Sequence, residues 1–288
     1  MTEGKNRRVI IFGAGAIGCV VGGHLSLTGT EVILVGRPGH VTAIREKGLK
    51  FIAPNGTQVL QLPAVTEPRQ IEFRPEDVVF LCVKSQDTEG AMRDLHAVAR
   101  GSPVFCFQNG VRNEEMASRF FSNVYAVAVR VGGIFLNDGE VIARKDPPGA
   151  LVIGRYPDGT DDLVDSVASM LRKAGFFVLV SPEIMPYKWG KLMKNLPPIV
   201  TAITYAKTGI DHITDALFQE AEEIMAQAGL RWVREEEILK QVPAVHIQGR
   251  SMVVEPHSST WQSLARGQGT TEIDYRNGEI VRLAESLG

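Results

Sequence analysis

Three glycines spaced G-x-G-x-x-G, Gly13, Gly15 and Gly18, follow directly on the apolar run Val9-Ile10-Ile11-Phe12. Between a strand and a helix this spacing does specific work. The first glycine makes the tight turn, the second lets backbone come within contact of a pyrophosphate, and the third removes a side chain where helix packs on strand. The helix N-terminus then offers free N–H groups and partial positive charge to the phosphates. About twenty residues on, where an NAD site carries a carboxylate, the second β-branched run Glu31–Val35 ends at Gly36-Arg37. A guanidinium pairs with a ribose 2′-phosphate that a carboxylate would repel, so the cofactor expected is NADP(H). From position alone, a solvated surface arginine is the other reading.

A second group of polar residues lies far downstream. In Trp189-Gly190-Lys191-Leu192-Met193-Lys194-Asn195, Lys191 and Asn195 stand one above the other at i and i+4 on a helix face. Pro197 and Pro198 remove two N–H donors, so that helix kinks or ends just past Asn195. Ser258-Ser259-Thr260 and Thr271-Glu272-Ile273-Asp274 add hydroxyls and carboxylates near the end of the sequence. Taken singly these are ordinary: a Lys and an Asn on a solvated face, acidic residues where a helix N-terminus favours them. The six histidines show no H-E-x-x-H or paired ligand spacing, so no metal is expected. His257 beside Ser258 lacks a G-x-S-x-G elbow and reads as a loop histidine.

The elements that must position these residues fall into two regimes. Asp77–Val83 and Pro103–Phe107 are continuous apolar strands of the kind buried in a parallel sheet, ending at Lys84-Ser85 and Gln108-Asn109-Gly110. Ligands of open α/β sheets bind outside the carboxyl ends of the strands, and Gly13-Ala14-Gly15, Arg37, Lys84 and Asn109 all fall on that rim. Leu49–Ile52 and Gln58–Leu62 flank the hairpin signal Asn55-Gly56. Val124–Phe135, Glu140–Arg144 and Leu151–Gly154 read as a hairpin or meander turning at Asn137-Asp138-Gly139, and Phe176–Val180 as a last strand. Past Ser181-Pro182 only helical patterns remain: Tyr187–Leu196, Ala216–Ala228, Glu235–Gln241 and Thr271–Ser286. The fold class expected is α/β, with a Rossmann-like dinucleotide-binding domain over residues 1–181 and an all-helical C-terminal domain over residues 182–288.

Composition is consistent with that division. A length of 288 residues, 44% of them hydrophobic, is ample for two cores. A net charge of −2 argues against a general nucleic-acid binder, which needs a basic face to displace counterions. Cys19, Cys82 and Cys106 lie inside apolar patterns without C-x-x-C spacing and read as reduced buried thiols, so the expected location is the cytoplasm. No apolar stretch is long enough for a bilayer, and Met1–Arg7 is short and polar, so no membrane partner is expected.

The whole ordered set resembles the ketopantoate reductase family: the glycine turn with a basic residue after strand two, Val83-Lys84, Gln108-Asn109-Gly110, Trp189-x-Lys191-Leu192-x-x-Asn195, Ser258-Ser259, and Thr271-Glu272-Ile273-Asp274-Tyr275-x-Asn277-Gly278. The last motif and the Lys-x-x-x-Asn helix are the specific parts. The resemblance implies a two-domain enzyme that reduces a 2-oxo acid with NADPH in the cleft between its domains. It implies that Gly13, Ala14, Gly15, Ala16, Ile17 and Gly18 hold the pyrophosphate, Arg37 the 2′-phosphate, and Lys84 the adenosine side. It implies that Asn109 meets nicotinamide and substrate, that Lys191 is the general acid, and that Asn195 with Ser258 or Ser259 binds substrate. Glu272 is implied as the active-site glutamate beside Lys191, helping to keep the lysine charged.

Some positions depart from the family pattern. Ile199 stands where a second asparagine is usual, so the expected substrate is 2-dehydropantoate or a related 2-oxo acid. A catalytically silent NADPH-binding protein acting through a partner interface is the alternative. Where family members continue with one more helix, Gly288 ends this sequence; an uncovered apolar face on Ile280, Val281, Leu283 and Ala284 would favour association, making a homodimer one expectation.

Overall fold

The computed structural model describes residues 7–204, 208–244, 246, 249–251, 260 and 271–288. Ser258, Ser259 and His257 lie outside the described residues. The chain opens with β1 (Val9–Phe12), α1 (Ala16–Leu27), β2 (Val32–Val35) and α2 (Pro38–Lys47). It continues through β3 (Leu49–Ala53), β4 (Gly56–Leu60), β5 (Ala64–Val65), β6 (Val78–Leu81), α3 (Thr88–Val98), β7 (Val104–Cys106) and α4 (Asn113–Ser118). Next come β8 (Val124–Val131), β9 (Gly133–Ile134), β10 (Glu140–Ala143), β11 (Lys145–Asp146), β12 (Gly149–Arg155), α5 (Asp162–Lys173) and β13 (Phe177–Val180).

Eight strands form one sheet in the order β13-β12-β8-β7-β6-β1-β2-β5. The run from β8 to β5 is parallel throughout, and only the β8–β12 pair is antiparallel. Strand alternation assigns the two faces. Val9 and Ile11 pack with Val20 and Leu25 of α1 and Val167 of α5, whereas Ile10 and Phe12 pack with Met92 and Leu95 of α3 and Ala117 of α4. Both faces are therefore covered, as a parallel sheet requires.

The expected hairpin at Asn137-Asp138-Gly139 forms, with β9 antiparallel to β10, but the segment is split between two sheets. β8 extends the parallel sheet beside β7 and pairs antiparallel with β12, whereas β9 and β10 belong to a separate four-stranded sheet, β4-β3-β10-β9, in which β10 runs parallel to β3. The hairpin of β3 and β4 forms as expected, with Gly56 at φ +134° in its turn.

The remainder is mostly helical: α6 (Met185–Lys194), α7 (Pro198–Thr204), α8 (Asp211–Gln227), α9 (Glu235–Leu239) and α10 (Asn277–Leu287). It is not purely so, because β14 (Arg250–Ser251) pairs with β11. Pro198 takes the first position of α7, where its missing N–H costs nothing, and this is why α6 stops beside Asn195. Leu192, Met193, Leu196, Ala221, Met225 and Ile280 form the core of this part. The apolar face of α10 is partly covered from within: Ile280 is buried and Leu283 packs on the same cluster, while Val281 and Leu287 are exposed. Cys19 and Cys106 are buried and Cys82 partly so, all three as free thiols. No described helix is long and apolar enough to cross a membrane.

Candidate functional site

The glycine turn opens at the carboxyl rim of the parallel sheet, and each glycine answers to a different constraint. Gly13 has φ +116°, and a Cβ there would lie 2.5 Å from Val83 N. At Gly18 a Cβ would fall 2.2 Å from the Gly13 carbonyl and 2.8 Å from Ile11 Cγ2. Gly15 is different: a Cβ would meet nothing within 4 Å and φ is −98°. The fold itself does not demand glycine at that position, so its missing side chain leaves room for something outside the chain. Gly15 is the N-cap of α1, has no side-chain cap, and no acidic residue occupies the first turn through Ala16, Ile17 and Gly18. Unsatisfied N–H groups and the helix dipole therefore face the rim, a setting suited to a phosphate. Arg37 is the N-cap of α2 at the end of β2, exposed and without a partner among the described residues. These residues fit a dinucleotide carrying a 2′-phosphate.

Further along the rim, a polar network ties the loops after β6 and β7 together. Gln108 Nε2 donates to Val83 O at 2.9 Å and to Thr88 Oγ1 at 2.7 Å; Thr88 Oγ1 donates to Asn113 Oδ1 at 2.9 Å. Asn113 Nδ2 donates to Asn109 O at 2.7 Å and Ser85 Oγ at 3.2 Å. Both amide orientations are thereby fixed, and with them the Asn109 loop. Gly110 at φ +84° completes it: the Tyr275 carbonyl sits 2.9 Å from where a Cβ would be.

Glu272 arrives on this network from the far end of the chain. Its Oε1 accepts from Ser85 N at 3.1 Å and lies 3.3 Å from Ser85 Oγ, next to Lys84 at the end of β6. Arg276 and Asn277 then close the C-terminus of α6, donating to the carbonyls of Asn195 at 2.6 Å and Leu196 at 3.2 Å. Carbonyls left free at a helix end are satisfied in this way, with a cation on the negative end of the dipole. The Tyr275-x-Asn277 motif thus fixes the helix that carries Lys191.

Asn195 Nδ2 donates to Asn109 Oδ1 at 3.2 Å, so the two asparagines singled out in the sequence meet across the cleft. Lys191, one turn earlier, lies partly buried among Arg130, Lys194, Arg276 and Glu235. Burial first, then the neighbouring cations, push its ammonium down to about 7, and Glu235 opposes them. Glu235 is held by Lys194 and by Arg130 Nε at 3.1 Å. Glu272 is bonded to Ser85 and acts on Arg276, and the carboxylate that opposes the lowering of Lys191 is Glu235 rather than the expected Glu272.

Sequence reasoning missed the anchor beneath this helix. Lys188, fully buried, bonds Glu114 Oε1 at 2.7 Å and donates to Gln108 O at 2.7 Å. It pins α6 to the rim from below. A charged residue flanking Trp189 gave no hint of burial, because its partner lies on α4.

A parallel sheet with a phosphate-ready glycine turn, an exposed arginine after β2, and a lysine-bearing helix bonded to the same rim through Asn195 is the arrangement expected of a dinucleotide-dependent oxidoreductase. Comparison with known proteins narrows the class. Residues 9–158 match the profile described as ketopantoate reductase PanE/ApbA, and residues 183–288 match its C-terminal counterpart. The chain belongs to the ketopantoate reductase family, whose members are NADP-dependent oxidoreductases. A 2-dehydropantoate 2-reductase of Pyrococcus abyssi is 32% identical over 97% of this chain and 92% of its own. The crystal structure of a PanE/ApbA family ketopantoate reductase from Ralstonia eutropha superposes with a TM-score of 0.78 at 29% identity, covering 98% of this chain and 92% of that one. D-mandelate dehydrogenase in ternary complex with NADH and anilino(oxo)acetate shares the fold, with a TM-score of 0.79 at 22% identity over 97% of this chain and 92% of that one.

Proposed function

We propose that the protein reduces 2-dehydropantoate, or a closely related 2-oxo acid, to the 2-hydroxy acid at the expense of NADPH, with Lys191 as general acid. The observation that carries the reading is the Asn195–Asn109 bond, which brings the face of α6 bearing Lys191 onto the rim of the glycine turn. The cofactor, when bound, supplies the hydride. Gly13 to Gly18 and Arg37 hold its phosphates, and Lys84 lines the rim toward the adenosine. Asn109 and Asn195 orient the substrate, and Lys191 bonds the keto oxygen. As negative charge develops on that oxygen the ammonium stabilises it and gives up its proton. An amine held near about 7 is matched to that task at neutral pH. Glu272 holds the Ser85 loop in place beside the cleft. In this reading residues up to Ser181 hold the cofactor and lend Asn109 to the substrate side, which residues from Pro182 onward complete.

The test is NADPH oxidation followed at 340 nm with 2-dehydropantoate and a panel of 2-oxo acids. Turnover that disappears in Lys191→Ala supports the assignment. NADPH binding without oxidation of any 2-oxo acid would return the silent-binder reading.

A further inference from the structure

Arg130 lies near the carboxyl end of β8, on the rim that carries the glycine turn. Alternation along the strand places it on the face of Ala126 and Ala128, which pack with Ile184 and Met185 at the start of α6, and not on the face of Val127 and Val129. It therefore points into the space between the sheet and the helix that bears Lys191. Its side chain is only 7% exposed.

Its hydrogen bonding is half complete. Nε donates to Glu235 Oε2 at 3.1 Å, but Nη1 and Nη2, both buried, have no hydrogen-bond partner among the described residues. Buried arginine donors are expensive to leave unmade, more so because they are charged. Glu235 is shared with Lys194, and Lys191 and Arg276 add positive charge nearby, so with Arg130 the basic residues outnumber the carboxylates Glu235 and Glu272. With Nε committed, the two terminal nitrogens remain as an end-on fork, the shape that takes both oxygens of a carboxylate at once. In a 2-oxo acid the carboxylate is bonded directly to the keto carbon, so a cation beside the one that meets the keto oxygen is placed for the acid group.

We propose that Arg130 is the carboxylate-binding, specificity-determining residue of the cleft: Nη1 and Nη2 receive the two carboxylate oxygens of the 2-oxo acid whose keto oxygen meets Lys191. This rests on the reductase reading for the substrate class but concerns binding, which can be measured without turnover. Glu235 is then a positioning residue that holds the fork through Nε.

The experiment is calorimetric titration of the NADP⁺-loaded protein, which cannot reduce the ligand, with 2-dehydropantoate and with its uncharged amide. The expected result is that Arg130→Gln weakens the acid on the order of ten- to a hundredfold, as loss of a charged hydrogen-bond partner does. The amide should shift by less than about threefold, with NADP⁺ affinity unchanged. Arg130→Lys keeps the charge and a partner for Glu235 but loses the fork; it should weaken the acid severalfold while folding as wild type. Equal loss for acid and amide, no loss for either, or a wild-type protein that does not prefer the acid over the amide, would overturn the proposal. A wild-type protein that prefers the acid yet never oxidises NADPH in its presence would overturn the reductase reading and leave the carboxylate site standing.

Discussion

Asn195 and Asn109 are joined side chain to side chain, Nδ2 to Oδ1 at 3.2 Å, although one caps a helix and the other lies in the loop after a sheet strand. The bond ties α6 to the rim of the sheet. Asn195→Ala is expected to raise KM for the 2-oxo acid about tenfold, as loss of one or two hydrogen bonds does, with NADPH affinity unchanged. Steady-state kinetics with each ligand varied in turn checks this.

Lys191 sits near about 7 because burial and the charges of Arg130, Lys194 and Arg276 outweigh Glu235. A general acid must carry its proton, so kcat/KM should be level below that value and fall about tenfold per pH unit above it. Removing the proton donor should cost about 10²- to 10⁴-fold in kcat. The pH profile of the wild type, compared with Lys191→Ala, checks both. The same depression sets a stability trend. Above about 7 and below the ordinary 10.5, the unfolded chain holds a proton here that the folded chain does not, so this group's contribution stabilises the fold as pH rises through that window.

Gly15 and Gly18 should separate under mutation. A Cβ at Gly15 meets nothing within 4 Å among the described residues, so Gly15→Ala should leave the free energy of unfolding unchanged to within about 0.5 kcal/mol. Its NADPH affinity should nevertheless fall severalfold, because the methyl enters the space a pyrophosphate needs. Gly18→Ala drives a methyl into the Gly13 carbonyl and should cost about 1–3 kcal/mol of stability as well. Chemical denaturation alongside fluorescence titration distinguishes the two.

Arg37 faces solvent at the end of β2 without a partner among the described residues. Arg37→Ala should weaken NADPH by roughly ten- to a hundredfold and leave NADH unaffected, since only the former offers a 2′-phosphate. Equal affinity of the wild type for both dinucleotides would remove the basis for this.

Lys188→Met should destabilise the protein by about 3–5 kcal/mol, because it strands Glu114 in the interior without its counterion. The double change Lys188→Met with Glu114→Leu should recover much of that loss. A double-mutant cycle on urea midpoints checks the coupling.

What could be read from the chain alone follows from how locally each feature is specified. The turn from Gly13 to Gly18 is written in six consecutive residues, and its steric reasons need only the strand before and the helix after. Asn109, Lys191, Asn195 and Glu272 stood out as motif residues, but their bonds to one another did not. Ser85 and Glu272 are 187 residues apart, and no periodicity encodes such a meeting. The turn at Asn137-Asp138-Gly139 was legible and joins β9 to β10 as a hairpin, but the parallel neighbour of β10 on its other edge, β3, lies far away in sequence and left no local signal. Arg130 passed unnoticed as one polar residue in a strand, since its importance lies in which face it occupies and in what its guanidinium leaves unbonded.

Ser85 takes its acceptor from Glu272, so the sheet rim is finished by a segment synthesised 187 residues after it. The parallel core and its glycine turn have left the ribosome well before then. During synthesis a nucleotide pocket can therefore exist before there is any acid to protonate a substrate, which separates the birth of binding from the birth of catalysis.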